Sequence, residues 1–491
     1  MIPFEGWQPD RPALNNGGTA EALNVLPREV GYAPLPSLEE NTGDLKAYCR
    51  GAAAARDSAK DAHFFAGDAA RLYRLTSTTW QNSSKIGGYS LSASFEMKWE
   101  FLKWGETMLA CSFAAPLQYI DLTGTNFDDR ISSSACFKPQ AHHIAAVGGF
   151  VVLGNTIDPV DGHVPNRIWW SGLEDPTDFR PDPATQCDRQ DLYGNGGAVI
   201  RIIGGEYGTI FQSNSISRLT YDGPPLIFRI DEVEPGRGAL CSGGIVNLGR
   251  TSFYLSEEGF FVFNGNSSEA IGESKVDKYV LADLDGDYLD RVSSLIDPVK
   301  KIVKWSYAGS GNLNGTPNKL VMFHWPTGKW SRGEVEIETL ANAMSAGYTL
   351  EQLDDISSNI DLLPASLDDN IFKGGTRYVG AFNTSHKFAS FTGVAMDAIL
   401  DTGEIQAFPG KRSFCNNVVP LIDGGSGVSI RIGRRDREAD PVVWGNASAL
   451  NVNGECPVIE AGRYLRYRAE LTGNFERAIG VIPSLVPEGR R

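Results

Sequence analysis

Six histidines, seven cysteines and 60 acidic side chains are the groups from which this chain could assemble a reactive site. The histidines stand at 63, 142, 143, 163, 324 and 386, and no H-E-x-x-H or H-x-H spacing links them. His142 and His143 are adjacent, so a strand would point them to opposite faces and they would not share a metal. His324 lies between Phe323 and Trp325 and reads as a packed or surface strand residue. Asp283, Asp285, Asp287 and Asp290 resemble a calcium loop, yet Gly286 falls at its fourth position instead of its sixth. Ser294 occupies the twelfth position, where a bidentate Glu is needed. A solvated acidic turn is the better reading.

Phosphate and glycan chemistry fare no better. Gly410-Lys411-Arg412-Ser413 lacks the upstream glycine of a phosphate loop, and Gly194-Asn195-Gly196-Gly197 precedes a strand where a helix is required. A sialidase-type propeller would clamp a carboxylate with arginines at its axis. Pro326-Thr327-Gly328-Lys329-Trp330 is similar to the Asp-box turn of those enzymes, but without its Asp. No sequence signal gathers arginines, a Tyr nucleophile and an acid in one place. Close carboxylate pairs suited to glycoside hydrolysis arise in any propeller with this many acids. No catalytic, metal-binding or cofactor-binding residue is assigned, no cofactor is expected, and the chain reads as a non-enzyme.

Charge and cysteine usage narrow the classes further. The chain of 491 residues carries a formal charge of −15. From Lys411 onward there are 12 Lys/Arg against 9 Asp/Glu, so the first 410 residues hold a net −18. Tight DNA binding needs a basic field, which the main body lacks. The strand Arg463-Tyr464-Leu465-Arg466-Tyr467-Arg468 interleaves cations with tyrosines, but no groove or flanking lysines accompany it. An inter-subunit or domain-facing sheet edge is expected there. Cysteines 49, 111, 136, 187, 241, 415 and 456 are odd in number and contain no C-x-x-C pair. They read as free, mostly buried thiols of a reducing compartment. The opening Met1-Ile2-Pro3-Phe4 lacks a signal-peptide pattern, and no apolar run is long enough for a membrane-spanning helix.

The elements that would position any site are hairpins. Phe253-Tyr254-Leu255, the turn Ser256–Gly259 and Phe260–Phe263 form one apolar pair of strands around a glycine turn. Similar units begin near Phe64, Glu106, Gly149, Tyr207, Ile302 and Tyr378. Such a ribbon cannot bury its aromatic face alone, so recurrence every 40 to 60 residues implies radial stacking. The fold class is therefore all-β: an irregular β-propeller of about six to eight blades, seven favoured. It carries an extended N-terminal arm and a C-terminal sandwich-like domain. The expected domains are a proline-rich arm over 1–45, a propeller over 46–394 with an acidic insertion near 334–369, and an all-β domain over 395–491. The arm is expected to lie on the body or on a neighbouring subunit, without regular structure. Gly51–Asp57 has helical propensity that the following strand is expected to override.

Several segments together resemble the tail hub or nozzle proteins of short-tailed bacteriophages (podoviruses), also described as tail tubular protein B or packaged-DNA stabilisation proteins. Asn24-Val25-Leu26-Pro27 with Gly31–Pro36 resembles the opening arm, and Phe65-Ala66-Gly67, Leu72-Tyr73-Arg74 and Thr79-Trp80 the first blade. Trp169-Trp170-Ser171-Gly172-Leu173-Glu174-Asp175-Pro176-Thr177-Asp178-Phe179 is similar to a W-S-D-x-x-D-P-x-D-W segment, with Gly172 and Phe179 departing from it. Gly208–Gly223, Glu258–Gly265, Ile271-Gly272, Lys275-Val276-Asp277 and Gly462–Arg468 follow in the family order.

The resemblance implies a structural virion protein: a homo-oligomer, a hexameric ring, forming the distal tail tube below the portal and the head–tail adaptor ring. Such a tube retains packaged DNA, conducts it during ejection without binding it tightly, and carries tail fibres or spikes. Assembly would take place in the host bacterial cytoplasm, and an acidic lining would let DNA slide. A glycan-binding or glycan-hydrolysing propeller, sialidase- or depolymerase-like, is the alternative.

Overall fold

The computed structural model describes all residues except 15, 91–97, 134–135, 159, 345–376, 426 and 489–491. Among the described residues the chain folds into seven antiparallel blades and a two-sheet sandwich. Blade 1 is Gly51–Arg56, Ala62–Gly67, Leu72–Thr76 and Thr79–Asn82; blade 2 is Glu100–Trp104, Thr107–Ser112 and Ala115–Asp121. Blade 3 runs Gln140–Val147, Phe150–Asp158, Gly162–Trp170 and Asp188–Asp191. Blade 4 runs Val199–Ile203, Gly208–Gln212, Ser215–Gly223 and Ile227–Pro235. Blade 5 comprises Val246–Leu248, Thr251–Ser256, Gly259–Phe263 and Ser268–Ala270. Blade 6 comprises Ser293–Asp297, Ile302–Tyr307, Lys319–His324 and Lys329–Glu334.

Blade 7 closes the ring. Thr339–Met344, Arg377–Phe382 and Lys387–Ser390 take their fourth strand, Glu39–Asp44, from near the start of the chain. A ring closed by pairing Glu39–Asp44 with Lys387–Ser390 cannot open without breaking a sheet, which removes the exposed edges a linear stack would leave. Seven apolar clusters confirm the closure. Six lie between consecutive blades, and the seventh joins blade 7 to blade 1 through Phe64, Phe382 and Phe388.

The segment 1–45 lies on the chain's own body and is not irregular. Ile2–Pro3, Val25–Pro27 and Tyr32–Pro34 join Arg477–Glu488, Arg412–Asp423 and Cys456–Gly462 in one sandwich sheet. Thr19–Leu23 joins Ala398–Thr402, Tyr464–Thr472 and Gly427–Arg435 in the other. The prolines punctuate this segment into short strands without preventing extended backbone, because each short strand finds a partner with free carbonyls. Leu23 also pairs in parallel with Arg332, so the second sheet runs on from blade 6. One contiguous core therefore fills both the sandwich and the joint between blades 5 and 6, with Trp7, Tyr32, Trp305 and Trp330 fully buried in it.

Gly51–Arg56 is the inner strand of blade 1, so partners in the sheet override the helical preference of its alanines. The acidic insertion expected near 334–369 is described only to residue 344, where Thr339–Met344 is a blade strand; the remainder lies outside the described residues. All seven cysteines are buried and unpaired. No helix among the described residues is long and apolar enough to cross a membrane.

Candidate functional site

Seven inner strands converge on the propeller axis and enclose a cavity of about 770 Å³. Its wall is largely small or apolar: Ala52–Ala54, Ile144–Ala146 and Ile202–Gly205 contribute most of three sides. Against that background four charged lining residues stand out, Arg50, Lys98, Glu100 and Arg201.

Local packing explains how they arrive there. Arg50 and Lys98 each sit just before an inner strand, those of blades 1 and 2. The Trp99 amide donates to the Arg50 carbonyl at 3.0 Å, and its indole donates to the Asp68 carbonyl at 2.9 Å. Gly51 and Gly67 make room for this tryptophan: a Cβ at Gly51 would lie 2.1 Å from the Trp99 carbonyl oxygen, and one at Gly67 2.4 Å from the indole. The docked Trp99 thereby holds Lys98 and Glu100, its chain neighbours, at the axis. Lys98 Nζ donates to the Val292 carbonyl at 3.1 Å, across the space that Gly243 leaves open between blades 5 and 6. Arg201, midway along the inner strand of blade 4, uses Nη1 to reach the carbonyls of Ser242 at 2.9 Å and Ile245 at 3.1 Å.

The electrostatics are uneven. Burial would raise the Glu100 carboxyl, but His143 Nδ1 at 3.0 Å, Arg201 and the Ile144 amide outweigh it and pull it down to about 2. Glu100 is therefore a permanent anion with its own partner. Burial pushes the Lys98 ammonium below the usual lysine range, and Arg201 adds repulsion. Neither Lys98 nor Arg201 forms an ion pair with a carboxylate among the described residues. Their hydrogen bonds go to backbone carbonyls, while Glu100 acts on both and Asp290 on Lys98 through space.

No family model matches this chain, and no curated protein matches it. Among solved structures it is similar to the computationally designed Ika8 protein, with 10% identity, a TM-score of 0.36, and 72% of this chain and 98% of that one covered. It is likewise similar to the extracellular domain of the putative hybrid two-component system BT4673 from B. thetaiotaomicron (10% identity, TM-score 0.40, 83% and 47% covered). A third is BamB from Moraxella catarrhalis (12% identity, TM-score 0.33, 65% and 87% covered). The propeller assignment rests on the chain's own strand pairing.

The motifs singled out in the sequence serve the scaffold. His143 faces Glu100 and His142 stacks on Phe113 with ring centroids 4.1 Å apart, yet the two imidazoles themselves lie only 5.8 Å apart. His324 Nδ1 lies 2.7 Å from Thr327 Oγ1 within the hairpin turn that leads to the buried Trp330. Asp283 accepts from the Tyr307 hydroxyl and the Ser310 amide, each at 3.1 Å, and Asp285 accepts from Asn312 at 3.0 Å. Those carboxylates organise turns. Gly194–Gly197 forms the turn into the inner strand of blade 4. Arg412 of the Gly410–Ser413 segment approaches Asp436 at 3.3 Å and Glu488 at 3.6 Å.

The Arg463–Arg468 stretch needs correction. Its strand, Tyr464–Thr472, is not a sheet edge but lies between Ala398–Thr402 and Gly427–Arg435. Leu465, Tyr467, Ala469 and Leu471 fill the sandwich core while Arg466 and Arg468 share Asp401 at 2.7 and 2.8 Å. Arg468 also lies 4.1 Å over the Trp444 ring. Those two cations share one carboxylate and one aromatic ring within the sheet, which compensates them in part.

Proposed function

We propose that this chain is a non-enzymatic structural subunit of a short-tailed bacteriophage tail. Six copies form the distal tube, which retains packaged DNA and conducts it during ejection. The tube meets the adaptor ring above and carries fibres or spikes outside. The chain is assembled in the host cytoplasm and resides in the virion tail.

The observation carrying this reading is an open apolar face on the terminal sandwich, on a chain whose family-like segments build the scaffold. Phe414 pairs with Val486 and Val419 with Ile482 on adjacent strands, and Ile459 follows on the third. Ile459, Val486 and Ile482 are 78%, 49% and 41% exposed. An assembly subunit needs such a surface, while an isolated monomer gains nothing from it. The Trp-Ser segment that resembles the tail family is a buried corner of blade 3: the Val151 amide donates to Ser171 Oγ at 3.0 Å, and Trp170 donates to the Gln186 carbonyl at 2.8 Å. Its residues hold a blade together, as a structural role requires.

The test is direct. Purified chain is sized by light scattering and imaged by negative stain, and intact particles are labelled with antibody against it. Six-fold rings and label at the distal tail are expected. A monomer at tens of micromolar that is absent from purified virions would overturn the proposal. The cations lining the axis favour the glycan alternative to one specific extent, since they suit an acidic sugar; release of reducing ends from an acidic polysaccharide would move the assignment there.

A further inference from the structure

We propose that the propeller axis is a binding station for one compact oxyanion, a phosphate or carboxylate group, held between Lys98 and Arg201. This goes beyond the tail-tube reading and does not depend on it.

Donor accounting carries the inference. A lysine ammonium has three N–H donors and an arginine guanidinium five. Lys98 spends one on the Val292 carbonyl, and Arg201 spends only Nη1, on Ser242 and Ile245. Both side chains line the same 770 Å³ cavity, so their remaining donors have that space to serve. The two cations also repel one another at this position.

Two like charges brought together inside a protein cost free energy unless something neutralises them. Water entering the cavity would solvate them in part, whereas an anion with several acceptor oxygens would satisfy both at once. The surrounding charges permit this. Arg50 lines the same cavity, and Arg291 lies close enough to Arg50 to repel it. On the acidic side, Glu100 is engaged by His143 and the Ile144 amide. Asp290 acts on Lys98 through space without an ion pair to it among the described residues. Asp68 accepts from the Tyr73 hydroxyl at 2.6 Å and from the Ala70 and Arg71 amides at 2.7 Å. The lining therefore sets Lys98 and Arg201, which keep donors to spare, beside one carboxylate that is already engaged.

The pocket also suits selectivity. Its backbone is drawn tight around the cations: a Cβ at Gly243 would lie 1.8 Å from the Val292 carbonyl oxygen and 3.3 Å from Lys98 Nζ. The ammonium is thus held in place by glycine-permitted packing, as a pre-formed anion site requires.

The experiment uses the full chain and two probes, inorganic phosphate and glucuronate, at ionic strength held constant with chloride. Calorimetry should show saturable binding of one anion per chain, with a rise in Tm that chloride does not give. Lys98→Met and Arg201→Met should each weaken binding at least tenfold, while Lys98→Arg retains it. The tighter probe identifies whether the group is a phosphate or a sugar carboxylate. For a test independent of variants, crystals of the native chain are soaked in tungstate, and anomalous density beside Lys98 and Arg201 is expected. Equal responses to phosphate, glucuronate and chloride, unchanged binding in both Met variants, or tungstate density only elsewhere would overturn the proposal.

Discussion

Arg332 grips Glu21 through two hydrogen bonds of 2.8 and 3.0 Å, and this fork ties the last strand of blade 6 to the N-terminal strand of the sandwich. The neighbouring backbone repeats the link, since the Asn24 amide donates to the Arg332 carbonyl at 2.8 Å. Propeller and sandwich are consequently one cooperative body, with no linker at which they separate.

Glu21→Ala should therefore cost about 1–3 kcal/mol, the range for a partly buried bidentate pair losing one partner. Arg332 keeps Glu334 at 2.8 Å, which limits the loss. Urea denaturation of Glu21→Ala, Arg332→Met and the double variant gives the coupling energy. A coupling below about 0.3 kcal/mol would show that the pair is incidental.

Ring closure rests on Phe388, which is fully buried in blade 7 and meets Phe64 of blade 1 edge-on at 5.0 Å. Phe382 and Tyr378 complete its surroundings at 5.5 and 6.0 Å. Phe388→Ala should destabilise by about 3–5 kcal/mol through the cavity it leaves. Limited proteolysis should then cut first in blade 7 or blade 1. A loss under about 1 kcal/mol would mean that the joint collapses around the gap.

How much of this was legible in the sequence follows from where each strand sits. Six of the seven hairpins read from the sequence, such as Phe253–Leu255 with Phe260–Phe263, are middle strands of blades, and in the three-stranded blade 2 the second strand of the hairpin is the outer one. They are buried on both faces between neighbouring blades, so they are rich in aromatic and β-branched residues. The inner strands carry a weaker sequence signal. Gly51–Arg56 and Val246–Leu248 have one face on the axial cavity, where space is short, so small or polar residues suffice. The anion station was hidden for the same reason. Arg50, Lys98 and Arg201 lie on three blades with no local pattern linking them; only the positions of the inner strands reveal that they share an axis. Among the sandwich strands of the first 45 residues, Ile2–Pro3 and Thr19–Leu23 have antiparallel partners over 370 residues away, and the locally paired Val25–Pro27 and Tyr32–Pro34 are only three residues each.

The open apolar sheet predicts a separation of assembly from stability. Ile482→Asp and Ile459→Asp replace exposed side chains, so each should change monomer stability by no more than about 0.5 kcal/mol. Either charge, placed on a face that packs against a second copy, should shift the chain from rings to monomers in light scattering. Unchanged rings in both variants would place the subunit contact elsewhere.

Lys304 supplies the pH prediction. Its side chain is 1% exposed in blade 6, with Nζ 3.9 Å above the Phe391 ring and no ion pair among the described residues. Burial is the main cause lowering its pKa to about 7, Lys300 adds repulsion, and Asp297 opposes both. The unfolded chain keeps this proton up to an ordinary lysine pKa of about 10.4. Between those values the unfolded state binds more protons than the folded one, so folding stability rises as pH rises from about 7 to 10. Below pH 7 both states are protonated and the full penalty persists, on the order of 4 kcal/mol at most, offset in part by the ring beneath the cation. Lys304→Met keeps the volume and removes the charge. At pH 7 it should be more stable than the native chain by about 1–3 kcal/mol, and the gap should close by pH 10. Urea midpoints across that range decide the matter: parallel profiles for the two proteins would mean that water reaches this ammonium and the penalty is absent.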